Sequence, residues 1–262
     1  MKLAIITMFK NESMGLREWL EHYKWQGVDR ILLLNNNSTD DWRSKIQGFE
    51  SFVDIVDVAK NHAQTEHYNT VGMPWLLKNG IDVVGVIDID EYVYCDNGKS
   101  IKGTLERLFT DDTLGKVQLT WRIFGSSGAN KQPPSIRKGF TWRKRDDPTL
   151  NMKCFSRVRD LLSLQIHDHE TRGTSVRDPP GIYLNHYVIQ SREFFKKVKM
   201  RRGDGQHTDA NSMRNWNYFA KKDFREVEDT ELKKQVEALE RGQRGGRRRT
   251  RRAKRRRSKY HL

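Results

Sequence analysis

Three acidic residues close an apolar run in the stretch "DVVGVIDIDEYVYC", residues 82–95. The β-branched residues of "VVGVI" predict a strand that is covered on both faces. Ionised carboxylates in such a place are costly unless a cation compensates them. Because side chains alternate along an extended chain, Asp88 and Asp90 are expected on one side of the strand, opposite Ile89. With Glu91 they indicate a divalent metal site, since hard cations prefer carboxylate oxygens as ligands.

The elements that must position these acids are strands alternating with helices in the first hundred residues. The apolar runs "KLAIITMF", "DRILLL", "FVDIVDVA" and "VVGVIDIDEYV" predict four strands. A first helix is expected at "MGLREWLEHYKWQG" and should end at Gly27. A second is expected from Trp42, and a third at "HYNTVGMPWLLKNG". This alternation predicts an α/β fold with a mostly parallel central sheet.

Polar clusters follow three of the predicted strands. They are "KNES", "NNNSTD" and "DIDE". Ligands of open α/β sheets bind beyond the carboxyl ends of the strands. We therefore expect the three clusters to meet at one crevice.

The second half of the chain has a less regular pattern. "GKVQLTWRIFGSSG" predicts a strand that runs into a Gly and Ser loop, and further short strands are expected in "KGFTWRK", "MKCFSRVRDLLSLQIHDH" and "GIYLNHYVIQ". "SREFFKKVKMRRGDG" and "FREVEDTELKKQVEALERG" are predicted to be helical.

Charge divides the chain into two parts. The sequence has 262 residues and a formal net charge of +15, but residues 241–262 hold twelve Arg or Lys and no acid. We expect one domain at 1–240 and a disordered basic tail at 241–262, which suits a polyanion or an anionic membrane surface. The absence of a long apolar run or a leader pattern predicts no transmembrane segment and a location in the cytoplasm or at the inner membrane face. Cys95 and Cys154 lack a CxxC spacing and are expected to be free thiols.

Five stretches in order resemble one enzyme group. "TMFKNES", "LREWLEHYKWQGVDRILLLNNNSTDD", "VIDIDEYV", "WRIFGSSG" and "LNHYVIQSREFFKKVKMRRG" resemble the GT-A fold glycosyltransferases of the family 92 and family 2-like group, across residues 3 to 203. The resemblance implies a single GT-A-type, Rossmann-like domain. It also implies metal-dependent transfer of a sugar from a nucleotide-sugar donor, a UDP-sugar, to a glycan, lipid-linked or protein acceptor, with inversion.

The resemblance also assigns residues to the donor. Mn²⁺ or Mg²⁺ is expected to join the diphosphate to Asp90 and Asp88, although Asp88 alternatively hydrogen-bonds the ribose. Glu91 is expected to brace the strand end through a basic neighbour. The nucleotide contacts that the resemblance implies come from Thr7, Lys10, Asn11, Glu12, Asn36, Ser38 and Asp40. Two other interpretations stay open: "KNES" also fits a helix cap at Asn11, and "NNNSTDD" also fits an ordinary turn.

The later motifs supply the other candidates. His186 is expected to complete the metal shell, since a neutral imidazole binds Mn²⁺, or to be a packed core residue. Trp121 stacks on a sugar ring or lies in the core, and Gly125 and Ser126 let the backbone approach the donor. The basic run 196–202 closes over the diphosphate or is a solvated helix face.

An inverting transferase also needs a base for the acceptor hydroxyl. In "HDHE", residues 167–170, we favour Asp168 for this role.

Two other functions share these features. A polyanion-binding protein on a degenerate GT-A scaffold would act through the basic tail, with steep salt dependence. A nucleotidyltransferase would use the same α/β core and acidic metal site, and it would release pyrophosphate from a nucleoside triphosphate.

Overall fold

The computed structural model describes residues 1–202 and 214–242. The predicted basic tail, apart from Arg241 and Gly242, lies outside these residues, and the domain boundary at residue 240 stays a prediction. Both cysteines are buried free thiols, as expected.

The strands and helices alternate through the first half of the chain. The strands are β1 (Leu3–Phe9), β2 (Arg30–Asn35), β3 (Val53–Asp57), β4 (Val83–Val86), β5 (Glu91–Cys95), β6 (Leu114–Ile123), β7 (Trp142–Arg143), β8 (Met152–Arg157), β9 (Leu161–Ser163), β10 (Glu170–Thr171), β11 (Thr174–Arg177), β12 (Ile182–His186) and β13 (Val227–Glu228). The helices are α1 (Ser13–Trp25), α2 (Gln64–His67), α3 (Met73–Lys78), α4 (Ile101–Leu108), α5 (Ile136–Gly139), α6 (Arg192–Phe194), α7 (Met200–Arg202), α8 (Trp216–Lys222) and a helix at 231–242. Two π turns, Tyr68–Gly72 and Phe195–Lys199, join α2 to α3 and α6 to α7.

The central sheet has the order β3-β2-β1-β4-β8-β6-β12-β5, with β11 beside β6. β1, β2, β3 and β4 are parallel. β8 is antiparallel to both β4 and β6, and β12 is parallel to β6 and antiparallel to β5. The predicted α/β fold with a mostly parallel sheet is therefore confirmed.

This strand order brings six strand ends to one edge of the sheet. Because β8 runs antiparallel to its two neighbours, β4 and β6 point the same way, and their carboxyl ends lie beside those of β1, β2, β3 and β12. The loops after these six strands therefore lie along one edge, where ligands of open α/β sheets bind.

The core lies on both faces of the sheet because alternate side chains of the central strands point to opposite faces. Leu3 and Ile5 of β1 pack with Leu16, Trp19 and the rest of the apolar stripe of α1. Ala4 and Ile6 pack on the other face, in a cluster that includes residues of α3 and the segment after β8. The helical spacing of α1 predicted its buried face correctly.

Three local predictions were wrong. β4 ends at Val86, and a turn separates it from β5, so the alternation argued for Asp88 and Asp90 does not hold. The turn forms because the Glu91 N–H donates to the Asp88 carbonyl at 3.0 Å and Glu91 Oε2 accepts from the Asp88 N–H at 2.8 Å. These bonds replace strand pairing.

The other two wrong predictions are helices. Residues 43–46 form only a short 3₁₀ turn after Trp42. Val227 and Glu228 pair with β7 as strand β13, and helix follows only from residue 231.

Within 1–202 and 214–242, every helix is too short or too polar to cross a membrane.

Candidate functional site

Asp90 is a buried carboxylate at the carboxyl edge of the sheet, 3% exposed. Lys199, from the π turn after α6, donates a hydrogen bond to Asp90 Oδ2, and both side chains of this ion pair are enclosed. His186, the last residue of β12, places its Nε2 atom 3.6 Å from the same oxygen. One carboxylate oxygen thus faces both an ammonium and an imidazole.

Three aromatic side chains stand beside this ion pair, and we call Trp121, His167 and His186 the aromatic wall. The Trp121 ring lies 4.3 Å from the His186 ring and 5.2 Å from the His167 ring, centroid to centroid. Trp121 and His186 come together because β6 and β12 are paired. Trp121 Nε1, His167 Nδ1 and His186 Nδ1 are buried without a hydrogen-bond partner among the described residues. Burial, and then the charge of Lys153, lower the pKa of His167, which favours its neutral form.

Asp88 and Glu91 share a second buried lysine, and we call Asp88, Asp90 and Glu91 the acidic turn. Lys153 of β8 places its Nζ atom 3.0 Å from Asp88 Oδ2 and 3.4 Å from Glu91 Oε2. Burial raises the pKa of Glu91 to about 8, although the charge of Lys153 opposes this shift. Burial alone would lower the pKa of Lys153, but the charges of Asp88 and Glu91 raise it overall, so the lysine stays charged.

The loops after β1 and β2 are tied to each other by side chains. Asn11 Oδ1 accepts the Thr39 N–H at 2.7 Å, and Ser38 Oγ accepts the Asn11 N–H at 3.0 Å. Asp40 Oδ2 accepts the N–H of Ser13, the first residue of α1, at 2.7 Å. Asp40, rather than Asn11, therefore caps α1, and the two predicted nucleotide loops meet as expected.

Comparison with known proteins identifies the chain. The family model described as Glycosyltransferase family 92 matches residues 3–240. The chain belongs to glycosyltransferase family 92. Similar curated proteins include a family 92 protein of Oryza sativa subsp. japonica, Os08g0121900, at 25% identity over 216 residues, and one of Arabidopsis thaliana, At1g27200, at 24% over 231 residues. These matches cover 74% and 77% of this chain but 34% and 37% of the relatives, so the chain spans about a third of their length.

Solved structures similar to this family 92 chain have low sequence identity. S. aureus TarS 1-349 in complex with UDP is 12% identical, with a TM-score of 0.43, and the match covers 84% of this chain and 71% of that one. Glucosyl-3-phosphoglycerate synthase from Mycobacterium tuberculosis, in complex with Mn²⁺, UDP and glucosyl-3-phosphoglycerate, is 17% identical, with a TM-score of 0.32 and coverages of 46% and 44%.

The donor residues that the family 92 resemblance implied have different surroundings. Thr7 and Glu12 are buried, and Thr7 Oγ1 has no hydrogen-bond partner among the described residues. Lys10 donates to Asn61 Oδ1 at 3.3 Å near the surface. The Asn36 amide donates to the Val58 carbonyl at 2.9 Å and thereby joins the loops after β2 and β3. Their roles toward a nucleotide stay predictions.

Gly125 and Ser126 contact a late segment of the chain. A Cβ atom at Gly125 would lie 2.3 Å from the Phe224 carbonyl oxygen, so the glycine permits this close approach. The Ser126 N–H donates to Asp223 Oδ1 at 2.7 Å. The segment before β13 therefore packs against the loop that was predicted to approach the donor.

Asp168, the predicted base, accepts hydrogen bonds from Lys116 Nζ at 2.7 Å and Gln118 Nε2 at 3.0 Å. Its neighbour His167, and not Asp168, contacts Trp121 in the aromatic wall. Asp168 stays a prediction, and the structure adds His167 as a competing candidate.

Two functional candidates were missed or undervalued by the sequence interpretation. Lys153 was not singled out, although a lone lysine in the apolar strand "MKCFS" is an unusual choice for a buried strand. Lys199 was grouped with its basic neighbours, yet it is buried while Lys197 pairs with Glu193 at the surface. The period of the helix does not reveal this difference, because a π turn shifts the register at Lys199.

Proposed function

We propose that this family 92 chain transfers a sugar from a nucleotide-sugar donor, a UDP-sugar, to a hydroxyl of a glycan, lipid-linked or protein acceptor, with inversion at the anomeric carbon. The observation that carries the proposal is the buried Asp90 carboxylate, which faces Lys199 and His186 at the carboxyl edge of the sheet. A diphosphate carries at least two negative charges at neutral pH. The Lys199 ammonium at this edge can attract it directly, and Asp90 with His186 can attract it through a bound cation.

The donor set supports a divalent metal on two residues. Asp90 Oδ2 and His186 Nε2 lie 3.6 Å apart, and carboxylate oxygen and imidazole nitrogen are both ligands for Mn²⁺. Within the described residues there is no group of three or more His, Cys, Asp or Glu side chains arranged for a metal, and Asp88 pairs with Lys153 instead. We therefore assign Asp90 and His186 to Mn²⁺ or Mg²⁺, and Asp88 to the ribose hydroxyls.

A bound Mn²⁺ or Mg²⁺ ion would offset the negative charge that develops on the leaving diphosphate. The Lys199 ammonium, which bonds to Asp90 Oδ2, would supply a second positive charge to a diphosphate held at this edge of the sheet.

The transfer step itself needs a positioned hydroxyl and a proton acceptor. The acceptor oxygen bonds to the anomeric carbon as the bond from that carbon to the diphosphate oxygen breaks, and the hydroxyl proton passes to the base. The aromatic wall supports this side of the site, because the partly buried Trp121 ring offers an apolar face on which a sugar ring can pack.

The first test is the thermal stability of the full chain with UDP, GDP, CMP and ATP, each with and without Mn²⁺. A ligand that binds only the native state stabilises it, by about 2.7 kcal/mol at a concentration one hundred times its dissociation constant. We expect stabilisation by UDP that needs Mn²⁺ and is absent in Asp90→Asn. The control is Asp112→Asn, because Asp112 is an exposed ion-pair partner of Arg159 before β6, at the other edge of the sheet.

The outcomes separate the alternatives. Stabilisation of Asp90→Asn equal to that of wild type would remove the metal assignment. Pyrophosphate release from a nucleoside triphosphate would favour a nucleotidyltransferase. A chain that no nucleotide stabilises, and that binds heparin or RNA with a steep salt dependence, would favour polyanion binding through residues 241–262.

A further inference from the structure

Lys153 is a lysine in the middle of an apolar strand, and its side chain is completely enclosed. Lysine is among the residues least often buried, and an enclosed ammonium is stable only where acceptors surround it. The side chain is on β8, which lies between β4 and β6 in the centre of the sheet.

The ammonium has three N–H groups and three oxygen neighbours. They are Ile166 O at 2.9 Å, Asp88 Oδ2 at 3.0 Å and Glu91 Oε2 at 3.4 Å. The Asp88 carboxylate, and then the carboxyl group of Glu91, keep the ammonium protonated despite its burial. Lys153 therefore makes two hydrogen bonds and one longer ion-pair contact inside the protein.

The three oxygens belong to two parts of the site, the acidic turn and the segment that leads into His167. Asp88 is in the turn after β4, and Glu91 begins β5 while also holding the Asp88 N–H at 2.8 Å. Ile166 directly precedes His167, whose ring packs on Trp121 in the aromatic wall. One side chain thus connects the acidic turn to the segment that carries His167.

We propose that Lys153 is a positioning residue that fixes Asp88 and the 166–169 segment relative to each other, so that the acidic turn and the aromatic wall keep one geometry. The inference rests on the proposed function for its consequence on nucleotide binding. Its structural content, the link between the two segments, does not depend on that function.

The obvious variant, Lys153→Met, leaves the buried Glu91 and the partly exposed Asp88 without their shared cation, which destabilises the fold. The double variant Lys153→Met/Glu91→Gln removes one cation and one anion together. Its glutamine keeps an oxygen for the Asp88 N–H. Glu91→Gln alone keeps the lysine and isolates the effect of the second change.

A matched control tests whether any lysine tether would behave the same way. Lys102 pairs with Asp29 at 2.8 Å, is partly buried, and joins α4 to the loop before β2. Lys102→Met therefore removes an ammonium and an ion pair from the same domain without touching the acidic turn or the aromatic wall.

Amide hydrogen exchange measures the link without any ligand. In the double variant we expect exchange at least about ten-fold faster than wild type in both the 88–91 turn and the 166–169 segment. Lys102→Met should leave both segments unchanged, and Glu91→Gln should leave 166–169 unchanged. Unchanged exchange at 166–169 in the double variant would overturn the proposal.

Calorimetry with UDP and Mn²⁺ measures the functional consequence. At a melting temperature close to that of Glu91→Gln, the double variant should bind UDP about ten-fold more weakly. If it binds as tightly as Glu91→Gln, Lys153 does not position the donor site. If wild type binds no nucleotide, the proposed function fails, and the exchange experiment still decides on the link.

Discussion

In the acidic turn, each carboxylate has an ammonium partner, whereas in the aromatic wall each ring leaves a buried nitrogen unpartnered among the described residues. Charges cannot be left uncompensated in an enclosed place, so Lys153 and Lys199 hold the acids before any donor arrives. A neutral ring nitrogen costs less to leave unpaired. The difference indicates that the charges of the acidic turn are compensated by the protein itself, while the aromatic wall contains buried ring nitrogens that no described residue compensates.

The comparison is tested most strongly at Asp90. Asp90→Asn removes the charge that faces Lys199 and His186 but keeps the side chain's size. We expect sugar transfer to fall about a thousand-fold, because the metal and the diphosphate lose their shared anchor. The measurement is the initial rate of UDP release from the UDP-sugar that the stability screen selects, with Asp112→Asn as control. A fall of less than ten-fold would contradict the prepared role of the acidic turn.

The next largest effect is expected in the aromatic wall. His167→Ala should lower the rate of transfer about a hundred-fold and leave the dissociation constant of UDP unchanged, because a base acts on the acceptor and not on the nucleotide. Asp168→Asn should have a much smaller effect, since its carboxylate is already held by Lys116 and Gln118.

Added imidazole gives a second readout for this pair. Partial recovery of His167→Ala with imidazole is expected if the missing group is a proton acceptor. A larger loss in Asp168→Asn than in His167→Ala would return the base to Asp168.

A packing change tests the loop that follows β6, between the aromatic wall and the late segment. Gly125→Ala brings a Cβ atom within 2.3 Å of the Phe224 carbonyl, so the backbone must move. We expect the free energy of unfolding to fall by about 2 kcal/mol.

Gly103→Ala in α4 is the control, because a Cβ there would meet only Ser100 Oγ at 3.4 Å. It should stabilise the helix by about 0.5 kcal/mol. Urea unfolding measures the free energy of unfolding of both variants. Equal values for Gly125→Ala and Gly103→Ala would show that the segment around Phe224 moves aside at no cost in stability.

The smallest effect is a pH dependence beside the acidic turn. Burial, and then the charge of Lys153, lower the pKa of His169 to about 3 from its usual 6.5. Below pH 6.5 the unfolded chain therefore takes up a proton that the folded chain refuses. The contribution of His169 to the free energy of unfolding therefore decreases as the pH is lowered from 6.5 to about 3, by at most about 1.4 kcal/mol per pH unit.

His169→Asn removes the imidazole that is protonated in the unfolded chain. It should therefore reduce the slope of the free energy of unfolding against pH. His62→Asn is the control, because His62 is exposed and its positive φ of 55° suits asparagine. An unchanged slope in His169→Asn would mean that His169 titrates normally in the folded protein.

Hydrophobic periodicity was enough to predict the main strands, helix α1 and the meeting of the strand ends at one edge of the sheet. These depend on patterns within a few residues of each other. The pairing of Lys153 with Asp88 was not predictable in this way, because the two residues are 65 positions apart and meet only through the β4–β8 neighbourhood. The turn after Val86 was also hidden, since the apolar run continues through Ile87 and Ile89 without a break in composition.

The contacts of Gly125 show the same limit in another form. A glycine before a serine indicates a close approach of some backbone, but the sequence does not name the partner, which here is Phe224. The resemblance to family 92 also implied a donor at this loop, and that role stays a prediction. Long-range packing decided which chain segment approaches the loop.

The π turn Phe195–Lys199 contains one residue more than an α-helical turn would need. Successive residues of an α-helix are separated by about 100° around the axis, so one inserted residue rotates all later side chains by that angle. Among the lysines of this turn, Lys199 is buried against Asp90, while Lys196 and Lys197 are exposed. Deleting one residue from the turn would leave its charge nearly intact and present a different face to Asp90. A single codon therefore separates a helix that neutralises the Asp90 carboxylate from one of almost the same composition that does not.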